Sequence, residues 1–267
     1  MPRAAPALAA LLASLLLAVA DGRATEACAD GPEAATGHVG AGHLPDGTGR
    51  PEVTLADNQS ATTLTVVLDG VVVPAKAGDD ARAAFATTIA GLKDAAVVLI
   101  ASDKAPDRHG RRHGVLRLTD GDSLDERLLA AGAGLADVSF PPCASRFLAA
   151  EAAARAEKRG IWRQSRIWTD LNAAAAGLPD FVLGRGRVAS VGRSGRTTYI
   201  NFGRDFSTDA TLRLGDKVAT ALVAAGRPPE SFAGRRVEVR GWASSRNGLD
   251  LKIDEPLALR LADGERD

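Results

Sequence analysis

Cysteine, tyrosine and methionine are nearly absent from this chain: two, one and one in 267 residues, with three tryptophans. So few cysteines exclude a disulfide-dense scaffold. So few tyrosines and tryptophans exclude an aromatic-rich binding surface. A surplus of charge is also missing, since 33 Lys and Arg meet 33 Asp and Glu. No global field therefore draws the chain to nucleic acid, and such binding needs a local basic patch. Past the first twenty residues there is no apolar run long enough to span a membrane. What remains is a length that leaves room for two ordinary domains.

The apolar run that is present sits at the start. Arg3 precedes Ala4 to Ala18, and Ala18-Val19-Ala20 closes the run with small residues. This order reads as a secretory signal peptide over 1–20, cleaved before Asp21, with an uncleaved anchor as the alternative. The expected location is secreted or periplasmic, with no membrane span in the mature protein. In that compartment Cys28 and Cys143 are expected to form a disulfide, against the alternative of two free thiols. Closing so long a loop contributes about 3–5 kcal/mol in the chain-entropy model. Residues 21–50, rich in Gly, Ala, Pro and Thr, read as a flexible arm. His38 and His43 lie there with no Asp or Cys at ligand spacing, so they read as solvated, and no metal site is expected.

Regular structure begins near residue 51. Glu52–Leu55, Thr62–Leu68 and Val71–Val73 are rich in Val and Thr, as strands are, with a turn near Asp57-Asn58-Gln59. Residues 79–92 read as a helix, capped by Asp79 or Asp80, with Ala81, Phe85, Ile89 and Leu92 on one side. Val97–Ile100 is a short buried strand, and Arg111–Leu118 another. Ser123 with Glu126 forms a capping box before Leu124, Leu128 and Leu129. Pro141-Pro142 precedes a third helix, which Gly160 stops before Ile161-Trp162.

The pieces in this order are specific together where none is alone. They are Asp107-Arg108-His109-Gly110-Arg111, Leu128 to Gly132 with Leu135-Ala136, Pro141-Pro142, Ala149-Ala150-Glu151-Ala152, and Lys158-Arg159-Gly160-Ile161-Trp162. They resemble the thermonuclease family, the staphylococcal-nuclease-like proteins, over roughly residues 52–164. The resemblance implies an α+β fold: a five-stranded OB-type barrel with three helices. It implies calcium-dependent cleavage of DNA and RNA. It also makes Arg111 the second phosphate-binding arginine.

One segment departs from that family. The family carries R-L-x-G-I-D-x-P-E before its first helix; this chain has Val67-Leu68-Asp69-Gly70-Val71-Val72-Val73-Pro74-Ala75. With Gly70 and Pro74 holding the frame, Val67 stands for the other phosphate-binding arginine. Val72 stands for the metal-binding aspartate and Ala75 for the general-base glutamate. Asp46-Gly47-Thr48 is the nearest counterpart of the family's D-G-D-T and lacks its second aspartate. Asp69 reads as a turn residue, or as a stand-in carboxylate; Asp79 and Asp80 read as helix-end residues. Calcium needs hard oxygen ligands, and cleavage needs an activated water and a held phosphate. No cofactor is therefore expected unless nuclease activity persists, in which case it is calcium.

Arg108, Arg111, Arg112 and Arg117, with His109, make a compact basic cluster that suits phosphate, although a solvated charged turn is the ordinary outcome. Residues 166–180 read as a linker, and 181–262 as a second, smaller OB-like barrel. Its strands are Gly186–Val191, Thr197–Phe202, Ala210–Leu214, Arg236–Ser244 and Leu249–Leu261, with a helix over Asp216–Ala225. Gly241-Trp242 and Arg246-Asn247-Gly248 read as turns. Tyr199, Arg193 and Arg196 are the candidates there for nucleic-acid contact, while Phe202 and Trp242 read as core. Three functions stay open: a degenerate, non-catalytic binding or structural module; an active secreted nuclease; and an envelope protein making protein contacts.

Overall fold

The computed structural model describes residues 33–56, 62–103, 105–173, 180–205, 208–245 and 248–262. The first half runs β1 (Glu33–His43), β2 (Glu52–Ala56), β3 (Thr63–Leu68), β4 (Val71–Val72), α1 (Gly78–Gly91), β5 (Ala96–Ala101), β6 (Arg112–Leu118), α2 (Leu124–Ala130), β7 (Leu135–Ala136) and α3 (Pro141–Ala156). Five of the strands close a barrel in the order β1-β2-β3-β6-β5, and β4 pairs with β7 outside it. The one parallel contact of the barrel is β3 with β6.

The second half runs β8 (Trp168–Asp170), β9 (Phe181–Arg187), β10 (Ser190–Ser194), β11 (Thr197–Asn201), β12 (Thr211–Gly215), α4 (Asp216–Ala224), β13 (Arg236–Ser245), β14 (Leu249–Ile253) and β15 (Leu259–Leu261). Its sheet order is β10-β11-β12-β14-β13-β9-β8. Because β9 and β10 are consecutive, the chain itself links the two ends of β10-through-β9. The parallel contact is again third strand with fifth, β12 with β14. In each half the first strand pairs the fourth through its N-terminal part and the second through its C-terminal part. Both halves therefore share one OB-type strand order, and the fold is α+β.

Three sequence expectations change. Glu33–His43, read as part of an arm, is the first barrel strand, and His38 and His43 lie on it. Its glycines are required by crowding rather than by flexibility. A Cβ at Gly37 would meet the Ala56 carbonyl at 2.7 Å, and one at Gly42 the Phe85 ring at 2.7 Å. Trp168–Asp170, read as linker, is a strand parallel to β9. Gly241-Trp242, read as a turn, lies inside β13, and Trp242 is 43% exposed instead of core. The Asp57–Gln59 turn, the Ala174–Ala176 stretch, Phe206 and Arg246-Asn247 lie outside the described residues.

The local signals for the helices act as chemistry predicts. Ser123 Oγ accepts from the Glu126 amide and Glu126 Oε2 accepts from the Ser123 amide, a complete capping box. α1 starts at Gly78 with Ala77 as its N-cap, so Asp79 and Asp80 do not cap it; they sit in its first turn, where carboxylates complement the helix dipole. Gly132 and Gly160, both at positive φ, face one another after α2 and α3. A Cβ on Gly160 would lie 2.1 Å from the Gly132 carbonyl, which instead accepts from the Ile161 amide at 3.0 Å.

Each barrel has its own core, and a third apolar cluster joins them. It combines Val72, Val73, Ala77, Leu135, Ile161 and Trp162 of the first half with Phe181 and Leu183 of β9. Polar bonds reinforce this junction. Arg240 of β13 and Glu151 of α3, both buried, form a two-bonded pair at 2.8 Å, and Arg240 also donates to the Ala136 carbonyl. Ala136 in turn pairs with Val71. The second barrel is thus seated directly on the β4–β7 ladder.

Candidate functional site

The turn before β6 is built around Asp107. Its Oδ1 accepts from the His109 and Arg111 amides at 2.8 and 3.0 Å, and its Oδ2 accepts from the Arg111 guanidinium at 2.9 Å. The Arg111 side-chain bond, helped by the two amides against partial desolvation, holds the Asp107 carboxyl far below the usual carboxylate range. Arg111 also donates to Glu52 on β2. Both faces of its fork are taken by carboxylates of this chain.

The other members of the basic cluster are similarly engaged. Arg112 donates to Asp103 at 2.9 Å, and the His113 amide donates to the same carboxyl at 3.0 Å. Burial pushes Asp103 up, but these bonds outweigh it and leave it below its ordinary value. Arg117 pairs with Glu33 of β1 at 2.6 Å. Arg108 lies against His109, Nε to Nε2 at 3.0 Å, and both are exposed. Sequence reading brought together Arg108, His109, Arg111 and Arg112 with Asp103 and Asp107 partly offsetting them, and missed Glu52.

Asp69 is the centre of a second cluster. It accepts from Ser102 Oγ, and His113 Nδ1 lies 3.4 Å from its Oδ1. Arg50 Nε is 3.8 Å away, and Arg50 bonds Asp137 at 2.6 Å. The same guanidinium lies over the ring of Trp242 in the second barrel, 5.9 Å from its centroid. Arg50 and Asp137 are 87 residues apart, and nothing in the local sequence pairs them. Just beneath, Asp125 is fully buried and accepts from the Gly70 amide at 2.8 Å, while its Oδ2 has no hydrogen-bond partner. Burial pushes its carboxyl up to about 7.

In the segment Val67–Ala75, Val67 and Val71 to Pro74 are buried while Ala75 is exposed. Val67 pairs with Glu52 and His113 in one row and is 5% exposed; Val72 is 0% exposed in the cluster between the barrels. The Ala75 amide donates to Thr48 Oγ1 at 2.8 Å, so the Asp46–Thr48 loop does approach this segment. Asp79 is on the surface of α1, 3.8 Å from Arg82. Among the described residues no group of three His, Cys, Asp or Glu side chains converges to hold a metal ion.

In the second barrel Tyr199 is half-buried on β11. Arg193 and Arg196 share one acid, Asp216, each at 3.1 Å. Phe202 is core. Cys143 is fully buried in the first turn of α3, and Cys28 lies outside the described residues. Among the described residues no helix is long and apolar enough to cross a membrane.

Residues 66–164 match the family model described as staphylococcal nuclease homologue. A comparison with curated proteins finds no match. The matched span begins inside the barrel, at Val66 on β3, and ends just past Trp162, taking in all three helices packed on the barrel. The matched span, less than half of the chain, is thus similar to the staphylococcal nuclease homologues; it holds α1, α2, α3 and part of the first barrel, and a second barrel of the same strand order follows it.

Proposed function

We propose that this is a secreted thermonuclease-like protein that no longer cleaves phosphodiesters and acts as a nucleic-acid-binding or structural module. The observation that carries the reading is the pairing of identity with burial at one segment. Val67, Val72 and Ala75 occupy the positions of an arginine, an aspartate and a glutamate in the family frame, and Val72 is sealed between the barrels. Valine offers calcium no oxygen, and a ligand there would have to enter an apolar core. The nearby carboxylates do not suit the ion either, since Asp69 is engaged by Ser102, His113 and Arg50. Arg111 already binds Glu52 and Asp107. General-base and electrostatic terms each contribute factors of roughly a hundred or more, so their joint loss leaves little rate.

The test is direct. Purified protein incubated with DNA and RNA in calcium should show no cleavage above background and no rise in melting temperature with calcium. Calcium-stimulated cleavage that Arg111→Ala abolishes would overturn the reading and send the search to Asp46, Asp69 and the Asp79–Asp80 pair. What basic surface remains for nucleic acid is Arg108, His109, Arg111 and Arg112 on the first barrel and Tyr199, Arg193 and Arg196 on the second.

Export and the disulfide belong to the same proposal. Arg3, the apolar run and Ala18-Val19-Ala20 support cleavage before Asp21. Burial of Cys143, and the absence of a free cysteine among the described residues, support its pairing with Cys28, the only other cysteine. Mass spectrometry of exported protein should find that start and no alkylatable thiol before reduction.

A further inference from the structure

The charge balance of the whole chain hides an uneven division. Residues 181–262 carry 14 Lys and Arg against 8 Asp and Glu, whereas residues 33–165 carry 15 against 17. The positive surplus therefore belongs to the second barrel, and such a surplus raises the local concentration of polyanions.

The second barrel also has a sheet face to receive one. Its named contacts with the first barrel are made by β8, β9 and β13. The strands β10, β11, β12 and β14 form the remaining sheet. Across them runs one row of directly paired residues: Gly192, Tyr199, Arg213 and Lys252. Their neighbours Thr198, Leu212, Leu214, Leu251 and Ile253 are buried on the opposite, inward side. The row therefore faces outward.

Lys252 at the end of the row pairs with Asp254 at 2.7 Å, and the other three members shape the face. Tyr199 is the only tyrosine of the chain. On one side of it Gly192 leaves open space, since a Cβ there would meet nothing within 4 Å. On the other side Arg213 is held by Asp250 through two bonds of 2.6 and 2.7 Å. That clamp fixes the guanidinium of the cross-strand neighbour of Tyr199. An aromatic ring with one flank bare, on a sheet face that carries cationic side chains, is a surface on which a nucleobase stacks.

Positive groups stand at both ends of the platform. At the β10–β11 hairpin end, Arg193 and Arg196 share the single carboxyl of Asp216, which leaves one net positive charge. At the other end a cleft of about 510 Å³ is lined by Ser190, Asn201 and Arg204. Ser190 and Asn201 are a directly paired row two residues along from Tyr199, so the cleft continues the same face. From Thr197 to Asn201 the platform spans ~13 Å of strand.

We infer that the outward face of the second barrel, centred on Tyr199 with Arg213 and Lys252 and flanked by Arg193, Arg196 and Arg204, binds single-stranded nucleic acid. The inference rests on the binding reading above and narrows the binding site from the two barrels to the second. Bases stack on Tyr199, and the flanking arginines meet phosphates.

Fluorescence anisotropy of the full mature chain with labelled oligo-dT, in EDTA and across a salt series, tests it. An abasic oligonucleotide of equal length is the comparison. Binding should favour oligo-dT over the abasic strand. Tyr199→Ala should weaken oligo-dT binding about tenfold or more and erase that preference, while Tyr199→Phe retains both. Arg204→Ala should weaken both ligands and flatten the salt dependence by slightly less than one unit. Melting curves establish that the variants fold; should Tyr199→Ala fail, Tyr199→Phe against Tyr199→Leu makes the same comparison. No oligo-dT binding at low salt overturns the inference. Equal binding of the two strands, unmoved by Tyr199→Ala, overturns it in favour of a plain polyanion site. Binding insensitive to Tyr199 but lost on Arg108→Ala with Arg112→Ala overturns it while leaving the binding reading intact, and none of these outcomes bears on cleavage.

Discussion

The two barrels share a strand order and use the same place in it oppositely. Across the four strands of the outer sheet the first barrel carries the row His43, Glu52, Val67 and His113; the second carries Gly192, Tyr199, Arg213 and Lys252. In the first, the adjacent Arg111 is closed off by Glu52 and Asp107. In the second, an aromatic ring has a bare flank. The difference teaches that a fold supplies positions and the side chains decide what is done there. The barrels also differ in their buried acids. Glu238, in the second, is surrounded by Arg155, Arg185, Arg240 and Arg260. Burial pushes it up, but those charges outweigh it and lower its carboxyl below the ordinary value. Burial raises Asp125, in the first, which meets backbone amides and the like charges of Asp69 and Glu126.

The comparison breaks most severely at the junction that makes the halves unequal. Arg240→Ala leaves Glu151 buried without its counter-charge, and should lower unfolding stability by about 3–5 kcal/mol. Replacing both, Arg240→Met with Glu151→Leu, should recover most of that loss. Equilibrium denaturation measures both. A single cooperative transition is expected for the native chain, since the cluster containing Val72, Trp162 and Phe181 belongs to both barrels. Two separate transitions would refute the shared junction.

A smaller effect separates the buried acids. In the unfolded chain Asp125 titrates near its ordinary value of ~4, and in the folded chain at about 7. Between those values the folded state holds a proton that the unfolded state has released. Its contribution to stability is therefore full below ~4, falls as pH rises to about 7, and is level above that. Asp125→Asn should stabilise the protein by up to about 4 kcal/mol at pH 8 and leave it unchanged below ~4. Thermal melts across that range measure it; a variant equally displaced at every pH would show that the burial of Asp125 is not the cause.

The smallest effect concerns the closed arginine. Arg111→Ala removes a partly exposed pair of ion bridges and should cost about 1 kcal/mol or less in stability. On the view that its fork is already filled, it should change oligonucleotide affinity less than Tyr199→Ala does. A larger loss at Arg111 would invert the comparison between the barrels.

Much of this fold was legible because local chemistry and tertiary demand agree. The strands at 52–56, 63–68 and 112–118, and the Ser123–Glu126 box, carry their signals in their own residues. Strand β1 was not legible, because crowding by Ala56 and Phe85 demands glycine where strand propensity disfavours it. Trp242 was misread for a similar reason: Gly241 beside it suggested a turn, while its partner Arg50 is distant in sequence. At the site, reading Val67, Val72 and Ala75 against charged family positions rests on the frame of Gly70 and Pro74 and belongs to the proposal. Asp107, four residues from Arg111, was legible; Glu52 on the other side of Arg111 and the seal over Val72 come from residues far apart in the chain, which no local pattern encodes.

The barrel order has a consequence in time. β1 is the first of the described strands to leave the ribosome, yet among those strands its N-terminal part pairs with Ala96–Ala101, about sixty residues later. Until that segment emerges, Glu33–Gly37 lacks its strand partner among the described residues. The first barrel cannot close co-translationally before α1 has been made, and its opening strand must wait unpaired while the chain behind it grows.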